Sequence, residues 1–224
     1  VVAIVCHSLT CDDDQVTNHP AIVRFIGVCM DPNNLCIVTQ YYPRRSLYDL
    51  VTLERLQLPQ KTLVKIVRDA SAGVLHLHCE KIIHRDIAAR NILIDQDWNA
   101  HVSDFGMSRI KKKAYRQADS SDNGPIRWMA PEVIRDKANY SERSDSYSFG
   151  VLLWEVLART KPFADLSRAQ VAERVPNGLR LAVSPLWPQV LRSLMDDCWH
   201  AVPTNRPSFY QIFQRLDIYF NMFT

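Results

Sequence analysis

Polar side chains capable of chemistry interrupt the apolar stretch IIHRDIAARNILI, which covers residues 82–94. Its isoleucines and its leucine suit a hydrophobic core, whereas Asp86, Arg90 and Asn91 bring charges and an amide into it. Burying such groups costs several kcal/mol each unless they are paired or used. We therefore interpret the stretch as a functional site set in an apolar frame.

A third acidic or amide position follows at a spacing that suits a metal site. Asp104 begins the triplet DFG, and the segment ILIDQDWNAHVSDFG is typical of two short strands around a turn at residues 95–99. Such a hairpin would return Asp104 to the neighbourhood of Asn91. One carboxylate and one amide oxygen can hold Mg²⁺ (or Mn²⁺), because these cations accept oxygen ligands. Asp86 is then placed to accept a proton or orient a hydroxyl nucleophile.

The elements that must position these residues follow from the hydrophobic pattern. Strands are predicted at residues 1–5, 21–29 and 35–40, which are rich in Val, Ile and Cys. Helices are predicted from Leu63, over 144–158, over 190–198 and after Pro207. The segment 144–158 is apolar nearly all round, which indicates a helix buried at the centre of a lobe. A small β-rich part followed by a mainly helical part is expected.

Taken alone, a DFG triplet is usually a turn, and an HRD triplet can be a buried ion pair. Together, HRDIAARN, DFG and the APE at residues 130–132 resemble the signature set of protein kinases, in the family's order. The resemblance spans essentially the whole chain. It implies an α+β, bilobal fold in one domain over 1–224. The expected parts are an incomplete N-lobe at 1–39, a hinge at 40–45 and a C-lobe at 46–224.

The resemblance also implies roles for the polar residues of the quoted stretch. Asp86 matches the aspartate that accepts the substrate hydroxyl proton, and Asn91 and Asp104 match the residues that bind Mg²⁺ against the phosphates of ATP. Arg90 is expected to assist at the transferred phosphate. The implied partners are ATP as co-substrate and a protein substrate.

Further matched positions are expected to serve the fold. Asp145 resembles the aspartate that ties the catalytic loop to the buried helix. Glu132 and Arg206 resemble an ion pair that holds the end of the activation segment. From residue chemistry alone, all three are ordinary structural charges, so they indicate fold and not chemistry.

The segment between DFG and APE resembles a regulated activation segment. Tyr115 is the first expected site of phosphorylation within it, ahead of Ser120 and Ser121. A phosphate there would pair with Arg85 and order the loop. The alternative is an exposed loop tyrosine with no role.

The ATP pocket is carried over from the resemblance alone. Thr39 falls at the gatekeeper position, the backbone from Gln40 to Tyr42 is expected to bond adenine, and two further residues would enclose the ring. The residues expected to line the pocket are Ala3, Thr39, Gln40, Tyr41, Tyr42 and Leu93.

The residues that follow the expected catalytic aspartate, Asp86, indicate which kind of hydroxyl group is phosphorylated. Serine/threonine kinases usually carry a lysine two positions after that aspartate, where this chain has Ala88. Arg90 instead resembles the AAR form of tyrosine kinases, and GPIRWMAPE at 124–132 is similar to them too. We therefore expect a tyrosine kinase. The alternative is a tyrosine-kinase-like enzyme that acts on serine and threonine.

The sequence departs from the family near its beginning. Val5 stands where the family has a lysine, and neither a Gly-rich loop nor the partner glutamate of that lysine is found before His19. One interpretation is an active parent enzyme whose corresponding segments are missing from this sequence. The other is a kinase-fold scaffold that binds partners without turnover. The presence of Asp86, Asn91 and Asp104 favours the first, although the literal 224-residue chain is expected to transfer phosphate weakly or not at all.

Composition narrows the remaining classes of protein. The net charge of +3 is too small to indicate a nucleic-acid or membrane-surface partner. No apolar run approaches the roughly 18–20 residues of a membrane span. Six cysteines without a Cys-x-x-Cys pair indicate reduced thiols and a cytoplasmic location.

Overall fold

Three short antiparallel strands come first in the computed structural model, which describes residues 2–4, 18–31, 36–105 and 125–223. They are β1 (Val2–Ile4), β2 (Phe25–Cys29) and β3 (Cys36–Thr39), in the order β1-β3-β2. The predicted strand at 21–29 begins later than expected, because its first residues form backbone hydrogen bonds with Val102 instead of with β3. The Val23 N–H donates to Val102 O, and the Val102 N–H donates to Ala21 O.

A hairpin forms at the predicted place between Asn91 and Asp104. Its strands are β4 (Ile92–Ile94) and β5 (Ala100–Val102), and Ile92 is paired with Val102. Asp95 shapes the turn, since its Oδ1 accepts the N–H groups of Asp97 and Asn99 at 2.8 and 2.9 Å. The hairpin therefore carries the chain from Asn91 back to the position after Val102.

The remainder of the described chain is mainly helical. The helices are α1 (Gln60–Cys79), α2 (Pro131–Arg135), α3 (Glu142–Ala158), α4 (Arg168–Arg174), α5 (Gln189–Cys198) and α6 (Phe209–Asn221). The long helices lie where the hydrophobic pattern predicted them. The short α2 and α4 were not predicted, because five and seven residues give too little periodicity to read.

Helix α3 lies at the centre of this helical part. A capping box starts it: Ser141 and Ser144 each accept the other's backbone N–H. Its residues are buried on every side, including Phe149, Leu152 and Glu155. The helix therefore serves as a fixed support for the loops packed around it. Among the described residues, no helix is both long and apolar enough to cross a bilayer.

Candidate active site

Asp145, in the first turn of α3, fixes the loop that begins at His84. Its carboxylate accepts the backbone N–H groups of His84 and Arg85 at 2.8 and 2.9 Å and contacts His78 Nε2 at 2.9 Å. Asp145 is 1% exposed, so these partners replace the water that its charge would otherwise need. The loop is thereby attached to the most buried helix of the molecule.

His84 links this loop to the segment that precedes Asp104. Its Nδ1 accepts the Asp86 N–H at 3.2 Å, so the ring proton is on Nε2, which donates to Ser103 O at 3.0 Å. Burial lowers the pKa of His84, because desolvation outweighs the nearby carboxylates of Asp145 and Asp86. His84 therefore acts as a neutral, structurally fixed bridge.

Asp86 and Asn91 are held against each other across the loop. Asn91 Nδ2 donates to Asp86 O at 2.6 Å, which turns the amide oxygen of Asn91 away from the loop backbone. The Asp86 carboxylate forms an ion pair with the Arg90 guanidinium, and the latter also lies over the Trp128 ring at 4.5 Å. The structure thus brings together three of the four predicted catalytic residues.

Asp104 reaches the same place through the hairpin. The Ser103 N–H donates to Asn91 O at 2.9 Å, and Ser103 Oγ donates to the same oxygen at 3.1 Å. Asp104 follows directly, with a left-handed backbone at φ 61°. Arg85 has φ 69°, so two non-glycine residues of the site adopt a conformation that costs energy and that the surrounding contacts impose.

The donor set of this site fits a hard divalent cation. The Asn91 amide nitrogen donates to a carbonyl group, so its oxygen is the atom turned away from the loop backbone, and Asp104 follows the Ser103 that donates to Asn91 O. Mg²⁺ is commonly bound by one or two carboxylates together with substrate phosphates and water. The side-chain oxygens of Asn91 and Asp104 are therefore suitable ligands for Mg²⁺.

Glu155 is a further buried acid beside the loop that the sequence did not reveal as part of the site. Its Oε2 accepts the Ala89 N–H at 3.0 Å and the Trp128 indole N–H at 2.9 Å, while Oε1 is buried without a hydrogen bond. Burial raises the pKa of Glu155 to about 7, although the two donors and Arg90 oppose the rise. Its sequence signal was the single carboxylate within the otherwise apolar run FGVLLWEVLA at residues 149–158.

The predicted hinge follows directly after β3. Gln40 is exposed and its N–H donates to Arg24 O at 3.0 Å, so this amide group is already used within the protein. The Tyr42 ring is buried against His101, and its hydroxyl accepts the Arg24 N–H at 3.2 Å. Thr39 Oγ1 makes a long contact of 3.4 Å with Gln40 O. Contacts of these groups with adenine stay predictions.

The other predicted pocket residues belong to strands near the hinge. Ala3 is paired through its backbone with Val38, one residue before Thr39. Leu93, in β4, is half-buried and forms an isolated bridge with Ser46 just after the hinge. Tyr41 is 55% exposed, which leaves its side chain directed toward solvent.

The predicted pair of Glu132 and Arg206 spans the helical part. The Arg206 guanidinium donates to both Glu132 carboxylate oxygens, at 2.6 and 2.8 Å, and also to the carbonyl groups of Arg143 and His200. Arg206 is 1% exposed, so these acceptors satisfy a charge that water does not reach.

The expectations about regulation fall largely outside the described residues. Tyr115, Ser120 and Ser121 lie there, as does Val5. Arg85, their expected partner, is described, and its guanidinium lies 5.5 Å from the ring centre of Tyr140. The role of Arg85 toward a phosphorylated loop stays a prediction.

The family of the chain is shown by comparison with known proteins. A family model described as protein tyrosine and serine/threonine kinase matches residues 14–216. The chain therefore belongs to the protein kinase family. The expected α+β kinase fold, with a small β-rich N-lobe and a mainly helical C-lobe, is confirmed by this match and by the two small sheets and the helices of the described residues.

Individual relatives are similar over most of this chain. The chain is 37% identical over 202 residues to the probable serine/threonine-protein kinase drkA of Dictyostelium discoideum, covering 89% of this chain and 31% of drkA. It is 39% identical over 204 residues to the serine/threonine-protein kinase CTR1 of Arabidopsis thaliana, covering 88% of this chain and 24% of CTR1. The chain thus spans less than a third of either relative.

Proposed function

We propose that this chain forms the catalytic site of a protein kinase that transfers the γ-phosphoryl group of ATP to serine or threonine hydroxyl groups of proteins. The observation that carries the proposal is the assembly of Asp86, Asn91 and Asp104 by Asp145 and His84. The preference for serine and threonine is supported by the relatives, which are named serine/threonine kinases. Those names do not support the tyrosine preference drawn from Arg90.

Within this mechanism the residues act by position and charge. Asp86 would accept a hydrogen bond from the substrate hydroxyl group and orient its oxygen toward the phosphorus atom. Arg90, paired with Asp86, would hold that carboxylate in place and add positive charge near the transferred group. Asn91 and Asp104 would hold Mg²⁺, which when bound neutralises charge on the phosphates.

The test is phosphate transfer by the full-length protein that contains this chain. We expect radiolabel from Mg²⁺-ATP to enter a peptide pool containing serine, threonine and tyrosine, and to appear as phosphoserine or phosphothreonine. Asp86→Asn should reduce the rate by roughly 10²–10⁴-fold, the usual contribution of a positioned acid or base. The matched control is Asp97→Asn in the exposed hairpin turn, which should keep the activity.

Other outcomes would redirect the assignment. Phosphotyrosine alone, lost in the Asp86→Asn variant, would restore the interpretation based on Arg90. Absence of transfer to any hydroxyl group from folded protein would favour the kinase-fold scaffold that binds partners without turnover. Full activity in the Asp86→Asn variant would remove Asp86 from the mechanism.

A further inference from the structure

Two cysteines face each other across the sheet that precedes the hinge. Cys29 ends β2, Cys36 begins β3, and the antiparallel register places the two residues directly opposite each other. Both are half-buried, and neither is in a disulfide bond. Residues opposed in this way have Cα atoms about 4.5 or 5.5 Å apart, and disulfides join Cα atoms about 4.4–6.8 Å apart. The backbone therefore already has the spacing that a disulfide requires.

The two thiols also interact electrostatically. Burial raises the pKa of Cys36, and the neighbouring Cys29 raises it further by its charge and a side-chain hydrogen bond. The other described cysteines lack this arrangement, because Cys198 is fully buried in the core and Cys79 is exposed at the end of α1.

We propose that Cys29 and Cys36 are a reversible oxidation site that forms an intramolecular disulfide on exposure to a hydroperoxide. In the first step the thiolate of one of the two cysteines attacks the hydroperoxide, breaking its O–O bond to give a sulfenic acid, and the departing hydroxide or alkoxide takes up a proton to leave as water or an alcohol. In the second step the thiolate of the other cysteine attacks the sulfenic sulfur, and the hydroxide that leaves is protonated to water. The two thiols together lose two electrons, which the hydroperoxide accepts.

The second cysteine to react needs no encounter with another molecule, because the strand register places it directly opposite the oxidised one. The product would close the chain between residues 29 and 36 and fix β2 to β3 at the end of the sheet opposite Thr39. Disulfides that form in cytosolic proteins are usually transient and redox-sensing, which matches this site.

Peptide mapping tests the proposal directly, because trypsin releases both cysteines in one peptide that covers residues 25–44 and contains no other cysteine. Reduced full-length protein is treated with hydrogen peroxide, alkylated and digested, and the peptide masses are measured by mass spectrometry. We expect a peptide that carries no alkyl group at either cysteine and has lost two hydrogen atoms, and we expect dithiothreitol to restore double alkylation. Alkyl groups are counted because peroxide also oxidises Met30, which is 74% exposed.

Variants separate the pair from general thiol oxidation. Cys29→Ser and Cys36→Ser should each abolish the disulfide peptide, whereas Cys79→Ser, at an exposed site, should leave it unchanged. Full alkylation of both cysteines at a peroxide dose that oxidises Cys79 would overturn the proposal. A disulfide that instead joins either residue to another cysteine would overturn it as well. None of these outcomes depends on kinase activity.

Discussion

At the scale of single residues, Glu155 combines complete burial with an incomplete set of hydrogen-bond donors. One carboxyl oxygen receives the Ala89 and Trp128 N–H groups, and the other receives none. Ionisation of Glu155 would therefore place a negative charge in the core, and the positive charge that opposes it is that of Arg90. Asp145 is equally buried but has a donor for each oxygen, which shows how two acids on one helix come to differ.

We expect the stability of the protein to depend on pH through Glu155. Its pKa rises from 4.5 when unfolded to about 7 when folded, so the native state retains a proton that the unfolded state loses. The stabilisation is fully present below pH 4.5 and is lost as the pH rises through about 7. This stabilisation amounts to about 3 kcal/mol, because each pKa unit between the folded and unfolded states corresponds to roughly 1.4 kcal/mol.

Glu155→Gln removes this titration and retains an acceptor for the two N–H groups. Urea unfolding of both proteins between pH 5 and 8 should show that the free energy of unfolding of the variant increases, relative to that of the wild type, as the pH rises. Most of the gain should be complete near pH 7.5. Parallel stability curves for the two proteins would show that Glu155 is not protonated in the native state.

At the scale of secondary structure, Gly73 sets how closely α1 approaches the segments that hold the site. A Cβ atom at residue 73 would overlap the Ala21 carbonyl oxygen and lie 2.8 Å from Val102 Cγ2. Neither obstacle is the end of a flexible side chain, because Ala21 O also accepts the Val102 N–H. Val102 is the last residue of β5, two positions before Asp104.

Gly73→Ala should therefore destabilise the protein by about 1–3 kcal/mol, the usual effect of overfilling a packed interior. It should also reduce phosphate transfer, because α1 can make room only by displacing β5. Urea unfolding measures the first effect. Gly27→Ala is the matched control: nothing lies within 4 Å of its added Cβ, so its effect should stay within about 0.5 kcal/mol. Equal stability of the two variants would contradict the packing argument.

The sequence predicted these elements unevenly, for physical reasons. The long helices and the hairpin at 92–102 were predicted because their hydrophobic periods and turn residues are local properties. The start of β2 was misplaced because residues 21–23 bond to Val102, a contact between distant parts of the chain. The site residues were recognised from motifs, but His84 and Glu155 were not given roles, since their partners become visible only in three dimensions.

At the scale of the whole molecule, Arg206 joins parts of the helical region that lie far apart in sequence. Its guanidinium bonds Glu132 in α2, the carbonyl group of Arg143 at the start of α3 and that of His200 just after α5. The group also lies 5.2 Å from the ring centre of Tyr147. Because three segments share one cation, its loss should affect the packing of all of them together.

We expect Arg206→Lys to destabilise the protein by about 3–5 kcal/mol, the usual cost of breaking a buried ion pair. An ammonium group cannot reproduce the planar, bidentate contact with Glu132 or reach the carbonyl groups at the same time. Chemical denaturation provides the measurement, with Arg215→Lys as the matched control. Arg215 pairs with Asp197 at 2.6 Å, but the side chains of that pair are 33% and 51% exposed, so the control should lose less than about 1 kcal/mol. Similar losses of stability in both variants would contradict this prediction. They would mean that the buried ion pair of Arg206 contributes no more to stability than an exposed one.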